Sequence, residues 1–172
     1  DGAGTVLRYD TLDGLPDKTW RATSWSFDQP EANWTWELVE AYQTDGNSRL
    51  TEMQDSLGRK TSYTRDATSG AILSESRLNA DGTTYASEST TYNAFRQPLT
   101  QTDRLGRVTV NEYDPAGNLL RRTVAAGTAD EAKYVWTYNA KGQPLTYEDA
   151  NHNFTNYHYD DARGFLTRIE EP

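Results

Sequence analysis

His152 and His158, six residues apart near the end of the chain, are its two imidazoles and so its first candidates for acid-base or metal chemistry. His158 lies between Tyr157 and Tyr159 in a run that alternates like a strand, whereas His152 falls in a turn-like stretch. A metal centre needs further ligands at set spacing, and none accompanies them. The chain has no Cys, which removes disulfides, thiolate ligands and Cys nucleophiles together. There is no Gly-x-Ser-x-Gly elbow, and the glycines come singly rather than as a phosphate loop ahead of a helix. Asp45-Gly46-Asn47 and Asp81-Gly82 lack the alternating oxygen ligands that a calcium loop requires. Nothing among the 26 acidic residues singles out a carboxylate pair of the kind that hydrolyses glycosides. The residues predict a chain that is not an enzyme and that uses neither a metal nor a cofactor.

The same side chains read better as turn formers and stacking surfaces. With 172 residues and only 35% hydrophobic, the chain is one polar domain in size, and its 5 Trp, 11 Tyr and 4 Phe predict an aromatic core. A net charge of -9 opposes phosphate backbones and anionic lipid, so nucleic acid is not an expected partner. No run of about 18 apolar residues occurs, so no helical membrane span is expected. The first residue is Asp1, which reads as a piece cut from a longer chain.

Internal periodicity organises the rest. Six Asp or Asn residues open Gly- or Pro-containing turns, namely Asp45, Asp66, Asn93, Asp114, Asn139 and Asp160, at intervals of 21, 27, 21, 25 and 21 residues. Short and long units alternate. The clearest unit runs from Leu105-Gly106-Arg107 through Tyr113-Asp114-Pro115-Ala116-Gly117-Asn118 to Leu119. Its relatives carry Tyr63 before Asp66, Tyr92-Asn93, Tyr138-Asn139 with Gly142, and Tyr157-His158-Tyr159-Asp160 with Gly164.

Each unit predicts a β-hairpin. Thr, Val and Tyr crowd into period-2 runs; then an Asx residue caps local N–H groups and a glycine takes a left-handed position, so the chain reverses. Alternation places Tyr134, Trp136 and Tyr138 on one face, as it does Thr155, Tyr157 and Tyr159, and Trp34, Trp36 and Leu38. Neighbouring hairpins are expected to stack these rings into a buried ladder.

The pattern Gly-Arg-x-Thr-x-Tyr-x-Tyr-Asp-x-x-Gly-Asn-Leu resembles the YD repeat of the Rhs family, which also occurs in teneurins, in the C component of bacterial insecticidal toxin complexes and in wall-associated toxins. The resemblance covers about residues 45 to 171 and is specific, because turn, ladder and spacing recur together. It implies an all-β fold in which tandem antiparallel β-hairpin repeats form a curved sheet or part of a spiral β-shell. In such proteins the shell encloses a toxic C-terminal domain, and related repeats have been credited with binding carbohydrate. The resemblance thus implies a structural segment of a larger secreted or cell-surface bacterial protein, whose partners are the rest of the parent chain and its enclosed cargo. The alternatives are a polysaccharide-binding module and a cell-surface adhesion surface. The tandem Asp-Pro-x-Gly-Leu of the family's self-cleavage site is missing; Asp114-Pro115-Ala116-Gly117-Asn118 holds only the first part, in an ordinary repeat turn.

Residues 1–44 fit the repeat poorly and form a divergent, Trp-rich segment or cap ahead of a repeat array at 45–172. Tyr9-Asp10 is at best a degenerate turn. Trp20, Trp25, Trp34 and Trp36 all fall there, and two readings compete. They close the end of the aromatic stack, or, together with Trp136, they offer flat faces to sugar rings with Asp28, Gln29 and Asn33 supplying hydrogen bonds.

Overall fold

Period-2 runs of β-branched and aromatic residues, cut by Asx-Gly turns, leave the backbone little alternative to hairpins. The computed structural model describes residues 5–12, 15–24, 30–160 and 162–172. Apart from one 3-10 turn at Glu31–Asn33, its regular elements are strands: β1 (Leu7–Leu12), β2 (Leu15–Ser24), β3 (Thr35–Thr44), β4 (Leu50–Asp55), β5 (Lys60–Arg65), β6 (Ile72–Leu78), β7 (Thr84–Tyr92), β8 (Pro98–Thr102), β9 (Val108–Tyr113), β10 (Leu119–Val124), β11 (Ala132–Tyr138), β12 (Pro144–Glu148), β13 (Phe154–Tyr159) and β14 (Leu166–Glu170). The fold is all-β, a run of antiparallel hairpins in which strand order follows chain order.

The chain forms two compact units, Asp1–Ser87 and Glu88–Pro172. In the first, β1 to β6 pair in sequence. In the second, the end of β7 pairs with β8 and the pairing continues to β14. Tyr9 and Asp10 lie inside β1 rather than at a turn.

Turns opened by Asp45, Asp66, Asn93, Asp114, Asn139 and Asp160 alternate along the chain with turns opened by Asp55, Asn79, Asp103 and Asp149. The two sets differ in register. Beside the first set the pairing slips by one residue, as where Thr91 pairs with Thr100 but Tyr92 with Pro98, and Thr137 with Thr146 but Tyr138 with Pro144. Leu99 and Leu145 are the extra residues, so each return strand begins with a β-bulge. Beside the Asp55, Asp103 and Asp149 turns no slip occurs: Gln54 pairs with Lys60, Thr102 with Val108 and Glu148 with Phe154.

In the second unit the expected ring ladder is present, with Tyr134, Trp136, Tyr138, Tyr147 and Tyr157 on one face, but its rings are half-buried rather than enclosed; in the first unit Trp20, Trp36 and Leu38 lie on the face opposite Tyr42 and Tyr63. Among the described residues Ala125, Asn111 and Thr123 are the buried ones. The reason is geometric. Each strand packs chiefly on its sequence neighbours, so a ring is covered from its sides by adjacent strands and keeps part of its outer face open.

Candidate functional site

The turn residues satisfy each other in a consistent way. Asp114 accepts the backbone N–H of Ala116 and of Asn118 on Oδ1, at 2.9 and 2.8 Å, and the Asn118 Nδ2 on Oδ2 at 2.8 Å. Asp45, Asn93, Asn139 and Asp149 accept the second and fourth following N–H in the same manner. The fourth following side chain is matched to the opener. A carboxylate only accepts, so Asp45, Asp55 and Asp103 are answered by the donors Arg49, Arg59 and Arg107, each through Nε at 2.7 Å. The amide of Asn93 or Asn139 donates instead, and is answered by Oε1 of Gln97 or Gln143 at 2.9 Å. These bonds hold the carboxyls of Asp103, Asp114 and Asp149 below their ordinary range, the partner side chain being the first cause in each. For Asp45 the leading cause is the Arg49 backbone N–H.

A second set of bonds joins one hairpin to the next on the bulged side. The Tyr138 hydroxyl donates to the carbonyl of Leu119 at 2.9 Å, and the Tyr113 hydroxyl to that of Pro98 at 3.0 Å. Arg65 occupies the equivalent place in the first unit and donates Nε to the carbonyl of Leu50 at 2.9 Å. Running the other way, Gln97 donates Nε2 to the carbonyl of Gly117, and Gln143 to that of Gly164, both at 2.6 Å. Asn111, only 2% exposed, is fully engaged: it donates to the Pro98 carbonyl at 2.9 Å and accepts Arg122 Nε at 3.0 Å. Burial, then the Asp114 charge, raises the Tyr138 phenol above its usual value. The residue two before each bulged turn is tied across the hairpin as well, as in Thr64 with Ser74, Thr91 with Thr100 and Thr137 with Thr146, oxygen to oxygen at 2.6 to 2.7 Å.

The remaining tyrosines of the ladder are half-buried. Tyr63 carries Arg65 over its ring at 5.8 Å, Tyr157 pairs with Ile169, and Tyr92 and Tyr159 close their hairpins opposite Pro98 and Leu166. Trp136 meets Tyr147 at 5.3 Å between ring centres, and Tyr147 stacks with Tyr134 at 6.4 Å.

Trp20, Trp34 and Trp36 come together in the first unit. Trp34 and Trp36 lie 5.9 Å apart. The Arg8 guanidinium stands 5.5 Å from the Trp20 ring and 4.9 Å from the Trp36 ring, and Trp20 Nε1 donates to Asp10 Oδ2 at 2.7 Å. Trp25, Asp28 and Gln29 lie outside the described residues.

Gln97, Gln143 and Asn111 escaped sequence reasoning as links. The recurring Gln-Pro-Leu after two Asn-opened turns was their one visible sign. The second set of turns was legible in Asp55-x-x-Gly58-Arg59 and Asp103-x-x-Gly106-Arg107, which share type and spacing.

The model of the RHS Repeat family matches residues 92–129, the stretch that holds the Asn93 and Asp114 turns. Comparison with curated proteins found no match. Similar solved structures include the crystal structures of TcdB2-TccC3-Cdc42, of TcdB2-TccC3 without its hypervariable C-terminal region, and of TcdB2-TccC3-TEV. Each has a TM-score of 0.61 and 22% identity, covering 96% of this chain and 9% of that chain. The chain therefore spans about 9% of the length of the structures it matches. These matches bear out the resemblance: the chain carries an RHS repeat and shares, almost throughout its length, the hairpin fold of the TcdB2-TccC3 toxin complex.

Proposed function

We propose that the chain is an architectural, non-catalytic segment of an Rhs-type β-shell within a larger secreted or cell-surface bacterial protein, where it helps to enclose or present an effector domain. Its partners are then the rest of the parent chain and that enclosed domain. Residues 1–44 serve as a divergent Trp-rich segment ahead of the array at 45–172. The observation that carries this reading is the direction of the side-chain bonds: Tyr113, Tyr138, Gln97 and Gln143 each tie one hairpin to its neighbour, which is what an extended wall requires. The turn acids are likewise committed to backbone and partner side chains rather than turned toward a substrate.

Limited proteolysis of the full-length protein that contains this sequence tests the proposal. The portion enclosed by the repeats should resist protease in native buffer and become cleavable when urea loosens the wall; rapid native cleavage of that portion would refute it. The competing polysaccharide reading relies on Trp20, Trp34, Trp36 and Trp136. Arg8 covers faces of Trp20 and Trp36 and Tyr147 packs on Trp136, which supports packing instead. Titrating Trp fluorescence with neutral and acidic polysaccharides separates the two, and a saturable shift lost in Trp34→Ala or Trp36→Ala would favour binding.

A further inference from the structure

The bulge between β2 and β3 builds a second surface in the first unit. Thr19 pairs with Glu40 but Trp20 with Leu38, so Val39 is extra and the faces exchange across it. Glu40 and Leu38, two residues apart, consequently lie on opposite faces. Trp20, Leu38 and Arg8 take one face. Tyr9, Thr19, Glu40 and Tyr42 take the other, since Tyr9 pairs with Thr19 and Tyr42 follows Glu40 by two.

On that second face lies an open groove of about 580 Å³ lined by Tyr9, Thr19, Glu40, Tyr42, Thr44, Ser48 and Leu50. Its volume falls in the range of small-molecule sites, roughly 300 to 1,000 Å³. Tyr9 is 59% exposed, an aromatic wall left open to solvent. The Tyr42 hydroxyl donates to Glu40 Oε2 and fixes that carboxylate in place. None of the described lining residues is basic.

Two phenol rings and a fixed carboxylate, with no basic side chain in the lining, are the complement of an ammonium group carried on an apolar body, which gains from ring faces and counter-charge together. We propose that this groove binds a small organic ammonium ion, with Glu40 as counter-ion and Tyr9 and Tyr42 as ring contacts. The inference is independent of the shell reading.

The test is an NMR titration of the folded, isotope-labelled chain with choline, with its uncharged isostere 3,3-dimethylbutan-1-ol, and with Nα-acetyl-lysine methylamide. Choline should give saturable shifts at Thr19, Glu40 and Tyr42, with affinity about tenfold higher than the neutral isostere and about tenfold lower in Glu40→Gln. Glu40→Gln keeps an acceptor for the Tyr42 hydroxyl, and Tyr9→Ala alters an exposed ring, so both variants should retain the wild-type strand signals while losing affinity. Equal binding of the isostere, unchanged affinity in Glu40→Gln, or no saturable response to choline would overturn the proposal. Binding of the lysine derivative in place of choline would overturn it in favour of a polypeptide ligand.

Discussion

Tyr113 and Tyr138 stand at equivalent places one residue before an Asx-opened turn, yet their hydroxyls are not equally needed. The Pro98 carbonyl that accepts Tyr113 also accepts Asn111, whereas Tyr138 supplies a side-chain bond to Leu119. Tyr138→Phe should cost about 0.5 to 1.5 kcal/mol, in the range of a single net hydrogen bond. Tyr113→Phe should cost less, and chemical denaturation of the two variants measures the difference. The turn carboxylates make a second prediction at this scale. Bonds to Arg, Asn or Thr side chains and to backbone N–H groups lower the pKa values of Asp45, Asp55, Asp81, Asp103, Asp114 and Asp149 in the fold. A group whose folded pKa is depressed stabilises the fold above its unfolded value, here 3.8, and loses that contribution as pH falls through the folded one. The thermal midpoint should therefore drop on acidification below about pH 4, and drop less in Asp103→Asn. A midpoint indifferent to pH across that window would deny these bonds any role in stability.

At the scale of the hairpin, the residue three after the turn opener decides how comfortably the chain reverses. Gly106 holds φ 77° with nothing near the position of an added Cβ, so Gly106→Ala isolates the backbone cost of a left-handed residue, about 1 to 2 kcal/mol. Arg96 holds φ 63° at the matching place of the Asn93 turn. Arg96→Gly should leave stability unchanged or raise it by up to about 1 kcal/mol, and urea midpoints would show whether the two substitutions move in opposite directions. The strands and the first set of turns were legible in the sequence because their causes are local: period 2 fixes the faces, and the Asx side chain reaches its own turn. The links from Gln97 to Gly117 and from Gln143 to Gly164 were not, since they span 20 and 21 residues and depend on a bulge that sequence periodicity does not mark.

Over the whole molecule, β1 pairs with β2 and β14 with β13, and each of these outer strands presents a side with no pairing strand among the described residues. An unpaired strand edge is a template for another chain. On β14, Leu166 and Ile169 are each 49% exposed. The isolated chain should associate with itself as concentration rises, and Ile169→Lys should weaken that association; sedimentation velocity on both reads the effect. A wild-type chain that remains monomeric in concentrated solution would show that these edges are protected.

By itself the sequence determined the all-β class, the hairpin period, the turn openers Asp45 to Asp160 and the aromatic face, because each follows from neighbours within a turn or a strand. Only the tertiary structure decided how deeply the rings are covered, since half-burial depends on which strands lie alongside. It also decided that Trp20 packs with Arg8 and Asp10 rather than standing free. The exchange of faces at Val39, which separates the tryptophans from the Tyr9–Tyr42 groove, belongs to it as well. One extra residue in a strand reverses every side chain beyond it, and that residue announces itself only when the partner strand is in place.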